Sequence, residues 1–342
     1  MLTKNQLKEI KDNLDSCNNP LFMFDDDQDG ICSFLLLYRY KKEGRGFIVK
    51  TTPKIDENFA RHVKNYNPDK LFILDIAIVE QDFIDKANVP IIWIDHHNPL
   101  ERHNIKYFNP RVSGESVPTT YMCYKVVKND LWIAVLGCVA DWHIPEFIDE
   151  LKKEHPELIN SDYKNVGDII YNTELGKLIR IVSFILKGKS EDVNKSIKVM
   201  TRIESPYEIL RQESAQGKYL YKRYEIMNKK YLPLIEELKQ ITEKTKGKIV
   251  VFRYNDSGTS FTSDLSNEII YRFPEKIIIV AREKNDEMKC SIRSSGAILP
   301  PIIDKAIVGL RGYGGGHENA CGLNISKDDF EEFIIRFKSM IN

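Results

Sequence analysis

The stretch Pro90-Ile91-Ile92-Trp93-Ile94-Asp95-His96-His97 sets an apolar run directly before a carboxylate and two imidazoles. A short apolar run of this kind reads as a buried strand, and packing gives no reason for the polar residues at its end. Working outward, Leu71–Leu74 ends at Asp75, and Leu21–Phe24 ends in Asp25-Asp26-Asp27-Gln28-Asp29-Gly30. Phe47–Lys50 is a further strand candidate, and Ile31–Tyr40 reads as an apolar helix. Short apolar strands separated by helical stretches imply a parallel sheet covered on both faces. Ligands gather at the carboxyl ends of strands in such sheets. Three strands here deliver acidic residues to that end.

The chain has 342 residues, enough for one large or two ordinary domains, and 42% of them are hydrophobic, enough for packed cores. Fifty acidic and fifty basic residues balance, which excludes a uniformly basic nucleic-acid binder but leaves room for a local basic groove. Cys17, Cys32, Cys123, Cys138, Cys290 and Cys321 form no C-x-x-C pair and read as reduced core residues. The first residues lack an apolar signal core, and no uncharged apolar run is long enough to cross a bilayer, so a cytoplasmic protein without a membrane role is expected.

Helices are predicted at Ser116–Lys128 and Leu131–Val139, the second leading to Asp141. Residues 145–205 read as helical and irregular, and 206–245 as one long polar-amphipathic helix. Between 211 and 248 the local charge balance is about +5, with Tyr219, Tyr221, Tyr224 and Tyr231 interspersed. Such a helix is a solvated connector, or else the wall of a nucleic-acid groove that uses charge and stacking. Beyond Gly247, strands are predicted at Lys248–Phe252, Lys276–Ala281 and Met288–Ser294, with helices at Ser263–Arg272 and Lys327–Ile341. The expected fold is α/β in two domains: a parallel-sheet domain over 1–205, a helical linker over 206–246 and a smaller α/β domain over 247–342.

Asp25, Asp27 and Asp29 would face one side of an extended chain, with Gly30 permitting the turn into the next helix. Carboxylates this close raise one another's pKa, a cost that a divalent cation removes. Carboxylates with imidazoles and no thiolate suit manganese, with magnesium as the alternative. Two such ions can clamp a phosphate and activate water, and a central carboxylate, for which Asp75 is the candidate, must then bridge them. Of His96 and His97, one can ligate while the other addresses substrate, with Asp95 orienting an imidazole. In the C-terminal part, Gly312, Gly314, Gly315 and Gly316 expose backbone N–H groups suited to phosphate oxygens. Arg293 or Arg311 can add a forked cationic contact, and His317 follows the glycines directly. His62, His103, His143 and His155 read as surface or structural residues.

Taken in order, Asp25-x-Asp27-x-Asp29-Gly30, Asp75, Asp95-His96-His97 and Asp141 resemble the motifs of the DHH phosphoesterase family. Ser291-x-Arg293-Ser294 and Gly314-Gly315-Gly316-His317-x-x-Ala320-x-Gly322 resemble its DHHA1 substrate-binding module. The resemblance spans nearly the whole chain. It implies one ion on Asp27 and Asp75, with Asp25 open as a third ligand. It implies a second on Asp29, Asp75, His96 and Asp141, with His97 and Asp95 catalytic. Arg293, Ser294, Arg311, Gly314, Gly315, Gly316 and His317 would bind substrate. Many small-substrate members carry a histidine where this chain has Met23, and an aspartate at position 25 is instead the arrangement of RecJ-like nucleases.

The function so implied is exonucleolytic release of mononucleotides from single-stranded DNA or RNA in repair or replication, in a cleft that would exclude duplex. Compact archaeal relatives suggest 3′-to-5′ polarity and a repair helicase or replisome protein as partner. The alternative is a nanoRNase, cyclic-dinucleotide or 3′-phosphoadenosine 5′-phosphate phosphodiesterase. A metal-free scaffold is disfavoured because every ligand position is filled.

Overall fold

A computed structural model of the chain describes residues 1–50, 54–255 and 258–341. The Thr3 hydroxyl accepts from the Gln6 N–H and the Gln6 side chain answers to the Thr3 N–H, a reciprocal cap that starts helix α1, Lys4–Asp15. The chain then lays down β1 (Pro20–Asp25), α2 (Gln28–Lys41), β2 (Arg45–Val49), β3 (Lys54–Ile55), α3 (Ala60–Tyr66), β4 (Lys70–Leu74), β5 (Ile78–Val79), α4 (Gln81–Ala87), β6 (Ile91–Ile94) and β7 (Lys106–Phe108). Strands β2-β1-β4-β6-β7 form one sheet, in that order, and every pairing in it is parallel. β3 and β5 make a separate two-stranded ladder.

Both faces of the central strands are apolar because both are covered. Leu21, Met23, Leu71, Ile73, Ile91 and Trp93 share one core with Val63, Phe83 and Ile84 from α3 and α4. On the alternate positions, Phe22 and Phe24 meet Phe34 of α2 at ring-centroid distances of 5.8 and 4.6 Å. The apolar strands expected at 21–24, 47–50, 71–74 and 91–94 therefore lie side by side. The brief β3, β5 and β7 carry too few residues to announce themselves.

Helices α5 (Thr119–Val127), α6 (Leu131–Ala140), α7 (Ile148–Glu154), α8 (Val166–Asn172), α9 (Glu174–Ile185) and α10 (Ser190–Met200) follow. The single long helix expected from 206 is instead two, α11 (Pro206–Leu210) and α12 (Ala215–Lys244). Ser205 and Glu208 form a capping box that starts the first, and Gln212, just past its end, takes a left-handed φ of 57°. The two ends meet so closely that a Cβ on Gly217 would lie 1.7 Å from the Glu208 carbonyl oxygen.

Contacts divide the chain into two compact units, Met1–Tyr224 and Glu225–Asn342, so α12 contributes to both. The second contains β8 (Ile249–Asn255), α13 (Thr262–Arg272), β9 (Ile277–Lys284), β10 (Glu287–Ser294), α14 (Pro300–Ala306), β11 (Gly312–His317), β12 (Ala320–Ser326) and α15 (Phe330–Ser339). Its sheet runs β11-β12-β10-β9-β8, with β8 and β9 parallel and the other pairs antiparallel. Ile279, Ile292, Leu323, Ile303, Phe333 and Phe337 share its core.

Tyr224 and Tyr231 do not form a stacking platform. Tyr231 is 1% exposed and donates to Glu268 Oε2 at 2.8 Å, and Tyr224 packs on Phe184. All six cysteines are buried and unpaired. Among the described residues, no helix is long and apolar enough to cross a membrane.

Candidate metal centre

In the parallel sheet, β1 and β4 lie side by side, and the chain leaves them toward opposite edges. Such a switch point opens a crevice at the carboxyl ends. Asp25 ends β1 there, Asp75 follows β4, and Asp95 follows β6.

The acidic segment is not extended throughout. Asp25 belongs to the strand, Asp27 is the N-cap of α2 and accepts from the Gly30 N–H at 2.9 Å, and Asp29 lies in the first helical turn. Gly30 serves close approach, not a left-handed turn. A Cβ there would lie 2.6 Å from the Asp25 carbonyl oxygen and 2.9 Å from its nitrogen, so only glycine lets α2 begin this near β1. The strand-to-helix corner thereby deals the carboxylates into different groups.

Three overlapping groups result: Asp25, Asp27 and Asp75; Asp29, His96 and Asp141; and Asp75, His96 and His97. Within each, one donor atom per residue lies within 4.8 Å of the others. Asp75 and His96 each belong to two groups. His96 Nε2 is 3.3 Å from Asp75 Oδ1 and 3.8 Å from Asp29 Oδ2, while its Nδ1 is 3.7 Å from Asp141 Oδ2.

The surroundings hold this arrangement in place. Asp29 accepts from the first backbone N–H groups of α5, Thr119 at 2.8 Å and Thr120 at 2.7 Å, where the helix end favours a negative charge. Asp75 sits at a left-handed φ of 60°, conformational strain of about 1–2 kcal/mol for an ordinary residue. Its N–H donates to the Ile94 carbonyl at 3.0 Å and its Oδ1 is 3.3 Å from the Thr119 hydroxyl. Asp141 is the C-cap of α6, and a Cβ on Gly137 would come within 2.4 Å of Thr120 Oγ1, so α6 reaches the site only because that residue is glycine.

Asp95 is fully buried and bonds His97 Nδ1 at 2.7 Å, while its other oxygen accepts from the His97 N–H, Asn109 and Tyr107. Burial alone would lower the His97 pKa, but the hydrogen bond and charge of Asp95 outweigh it and raise it. Arg111 donates through Nε to the His96 carbonyl and bears on the charge of Asp141. Thr119, Thr120, Tyr107, Asn109 and Arg111 escaped the sequence reading. The Asn109-Pro110-Arg111 turn was the only trace of Asn109 and Arg111.

The electrostatics ask for cations. Burial, then the charges of neighbouring aspartates, push Asp25 and Asp75 well above the carboxylate range, and burial with the charge of Asp29 does the same to Asp141. Burial pushes His96 down, so its ring is available as a neutral donor. Cys32 and Cys138 lie behind the cage, but burial and the charge of Asp29 push their thiols up, so they stay neutral. The donor set is therefore oxygen with some imidazole nitrogen, which fits divalent manganese or magnesium.

In the second unit, Arg293 pairs across the sheet with Ala320, and Ala320 with His317, so Arg293 and His317 share one cross-strand row. Arg293 Nε donates to Asn267 Oδ1 at 2.6 Å, and the Ser294 hydroxyl accepts from Gly296 and Ala297. The glycines are an edge strand, not a curled nest. Cβ atoms on Gly314 and Gly316 would collide with Ile303 and the Ala320 carbonyl, whereas one on Gly315 would meet open space. Arg311 stands apart from this row, bound to Asp329 at 2.9 Å and Asp328 at 3.1 Å. Of the two arginines, Arg293 is thus the one that shares a cross-strand row with His317. His62 packs near Phe47, His143 against Tyr121 and His155 against Tyr207.

Residues 21–149 match the model of the DHH family, N-terminal domain, and residues 262–342 match that of the DHHA1 domain. The fold is similar to RecJ in complex with Mn2+ from Thermus thermophilus, with a TM-score of 0.71 and 14% identity over 99% of this chain and 55% of that one. The chain thus spans about half the length of that RecJ. An exonuclease RecJ bound to manganese is similar at a TM-score of 0.61 and 16% identity, over 99% of this chain and 95% of that one. A pGpG-specific phosphodiesterase from Vibrio cholerae matches at a TM-score of 0.50 and 14% identity, covering 95% and 99% of the two chains. No curated protein matches the chain in sequence.

Proposed function

The chain belongs to the DHH/DHHA1 family, with its phosphoesterase fold, and within it we propose a metal-dependent exonuclease that releases mononucleotides from single-stranded DNA or RNA, running 3′ to 5′. The observation that carries this reading is the set of interlocked donor groups in which Asp75 and His96 are shared. In the proposed assignment Asp25, Asp27 and Asp75 hold one manganese ion, and Asp29, Asp75, His96 and Asp141 hold the other. Bound divalent ions supply Lewis acidity and neutralise charge on the reacting phosphate.

The chain's own residues do the rest. His97, oriented by Asp95, donates a hydrogen bond to a non-bridging phosphate oxygen. Arg111, pinned at the His96 carbonyl, adds positive charge at the lip of the cage. Arg293, Ser294, Gly314 to Gly316 and His317 are proposed to grip the substrate beyond the scissile bond.

A second reading, a phosphodiesterase of dinucleotides, draws on the likeness to the pGpG-specific enzyme. Against it stands Asp25 in a donor group, with Met23 buried in the sheet core instead of offering a ligand. The test is a time course with manganese on oligonucleotides labelled at either end, in both sugar types, beside a 2-mer. Successive mononucleotides from the 3′ end of the long substrate support the proposal, and turnover of the 2-mer alone overturns it. Asp75→Asn should reduce release by at least about a thousandfold, since one change disturbs both proposed ion positions.

A further inference from the structure

A groove of about 700 Å³ lies on the first unit, lined by none of the donor-group residues. Five consecutive residues, Gly44 to Ile48, line it. Side chains of a strand alternate between faces, so an unbroken run can line one groove only where the groove follows the strand's edge. β2 is the outermost strand of the parallel sheet, and among the described residues no other strand pairs on that side. The opposite wall is one face of α10: Ser190, Asn194, Ile197, Lys198 and Thr201 recur at helical spacing. Its aromatic lining comes from both faces of the sheet, Phe34 and Tyr38 on the side of α2 and Phe47 and Phe59 on the side of α3. Gly46 admits the first pair: a Cβ there would lie 2.5 Å from the Phe34 ring.

The charge of the lining has one sign. Arg45, Lys50 and Lys198 are its ionisable cations, and among the described residues no carboxylate lines it, although Lys50 feels the charge of Asp26. Arg45 and Lys198 are exposed, on the strand wall and the helix wall respectively. An unpaired strand edge is a template for another strand, and proteins that leave one open use it or cover it. We propose that this groove is a docking site for an extended acidic segment of a partner protein, added as a sixth strand beside β2. Its backbone pairs with residues 45–49, a span of about 17 Å. Alternate apolar side chains rest on Phe34 and Tyr38, and the acidic ones point to the other face, toward Arg45, with Lys198 adding charge from the helix wall. Single-stranded nucleic acid, the other anionic polymer with flat apolar groups, pairs no strand edge and leaves five backbone positions unexplained.

The test uses the full chain and an array of labelled ten-residue peptides with glutamate at alternate positions and varied Val, Ile or Phe between. The expected result is micromolar binding by members with a bulky apolar residue, with slowed amide exchange at residues 45–49. Methylating the backbone nitrogen of alternate peptide residues should abolish binding in one register and spare it in the other. Arg45→Glu with Lys198→Glu should weaken binding at least about tenfold, while mononucleotide release stays unchanged. Binding that ignores backbone methylation overturns the proposal, as does failure of every peptide at millimolar concentration. An oligonucleotide that displaces the peptide and is itself lost to Arg45→Glu overturns it in favour of a nucleic-acid path. None of these readouts depends on catalysis, so they stand apart from the fate of the exonuclease reading.

Discussion

At the scale of the residue, Asp95 shows how a side chain can matter to chemistry without meeting the substrate. It is fully buried, yet four donors surround its oxygens, and one of them is the His97 imidazole, itself a member of a donor group. Asp95→Asn keeps the volume but removes a charged acceptor, so His97 loses its fixed tautomer and its raised pKa. Turnover should fall by about 10–100-fold with little change in manganese affinity, measured by steady-state kinetics beside metal titration. An equal loss in metal affinity would place His97 among the ligands and refute its proposed role. The Asp95-His96-His97 tripeptide was legible in the sequence because three polar groups closed a buried strand. Thr119 and Thr120 were not legible, because a backbone N–H has no signature in the amino-acid alphabet.

At the scale of the element, the corner between β1 and α2 sorts the acidic residues. That corner depends on Gly30, whose added methyl would press on the Asp25 backbone at 2.6 Å. Gly30→Ala should destabilise the first unit by about 1–3 kcal/mol, read as a fall of several degrees in melting temperature, because overpacking there has only backbone to displace. An unchanged melting temperature would mean that the corner relaxes freely. Strand β10 sets a second case. Arg293 lies in the row that reaches His317 through Ala320. Arg293→Ala should weaken oligonucleotide binding about tenfold or more and leave manganese binding intact, by fluorescence anisotropy and calorimetry. Parallel losses of both would contradict the substrate assignment. Periodicity located most helices and strands, but α11 and α12 merged into one expectation. The left-handed turn at Gln212 separates them, and the close approach of Gly217 to the Glu208 carbonyl accompanies it.

At the scale of the whole molecule, the cluster of crowded, partly buried carboxylates couples folding to metal and to pH. Asp25, Asp75 and Asp141 have pKa values raised by burial and mutual repulsion, so their ionised forms oppose folding. The sign follows from linkage. The cost is absent below the ordinary carboxylate range, where they are protonated folded or unfolded, and is felt in full above their raised folded values. With chelator present, the melting temperature should fall as pH climbs from about 5 to 8. Excess manganese should reverse the trend, since it binds the deprotonated groups and stabilises the folded state by about 2.7 kcal/mol at a hundred times its Kd. Identical pH profiles with and without metal, in scanning calorimetry, would remove the case for a cation at this site.

The order of apolar runs and the acids that close them determined, without any coordinates, a parallel sheet with chemistry at its carboxyl edge. Strands need only local pattern to be recognised, and polar residues at a buried strand's end have few other reasons to be there. The tertiary structure alone decided how the aspartates divide between donor groups, which backbone amides hold Asp29, and which tyrosines are packing. It also decided that Arg311 turns to Asp328 and Asp329 instead of to the glycine strand. Those outcomes depend on close approaches between elements distant in the chain, and sequence spacing carries no record of such distances.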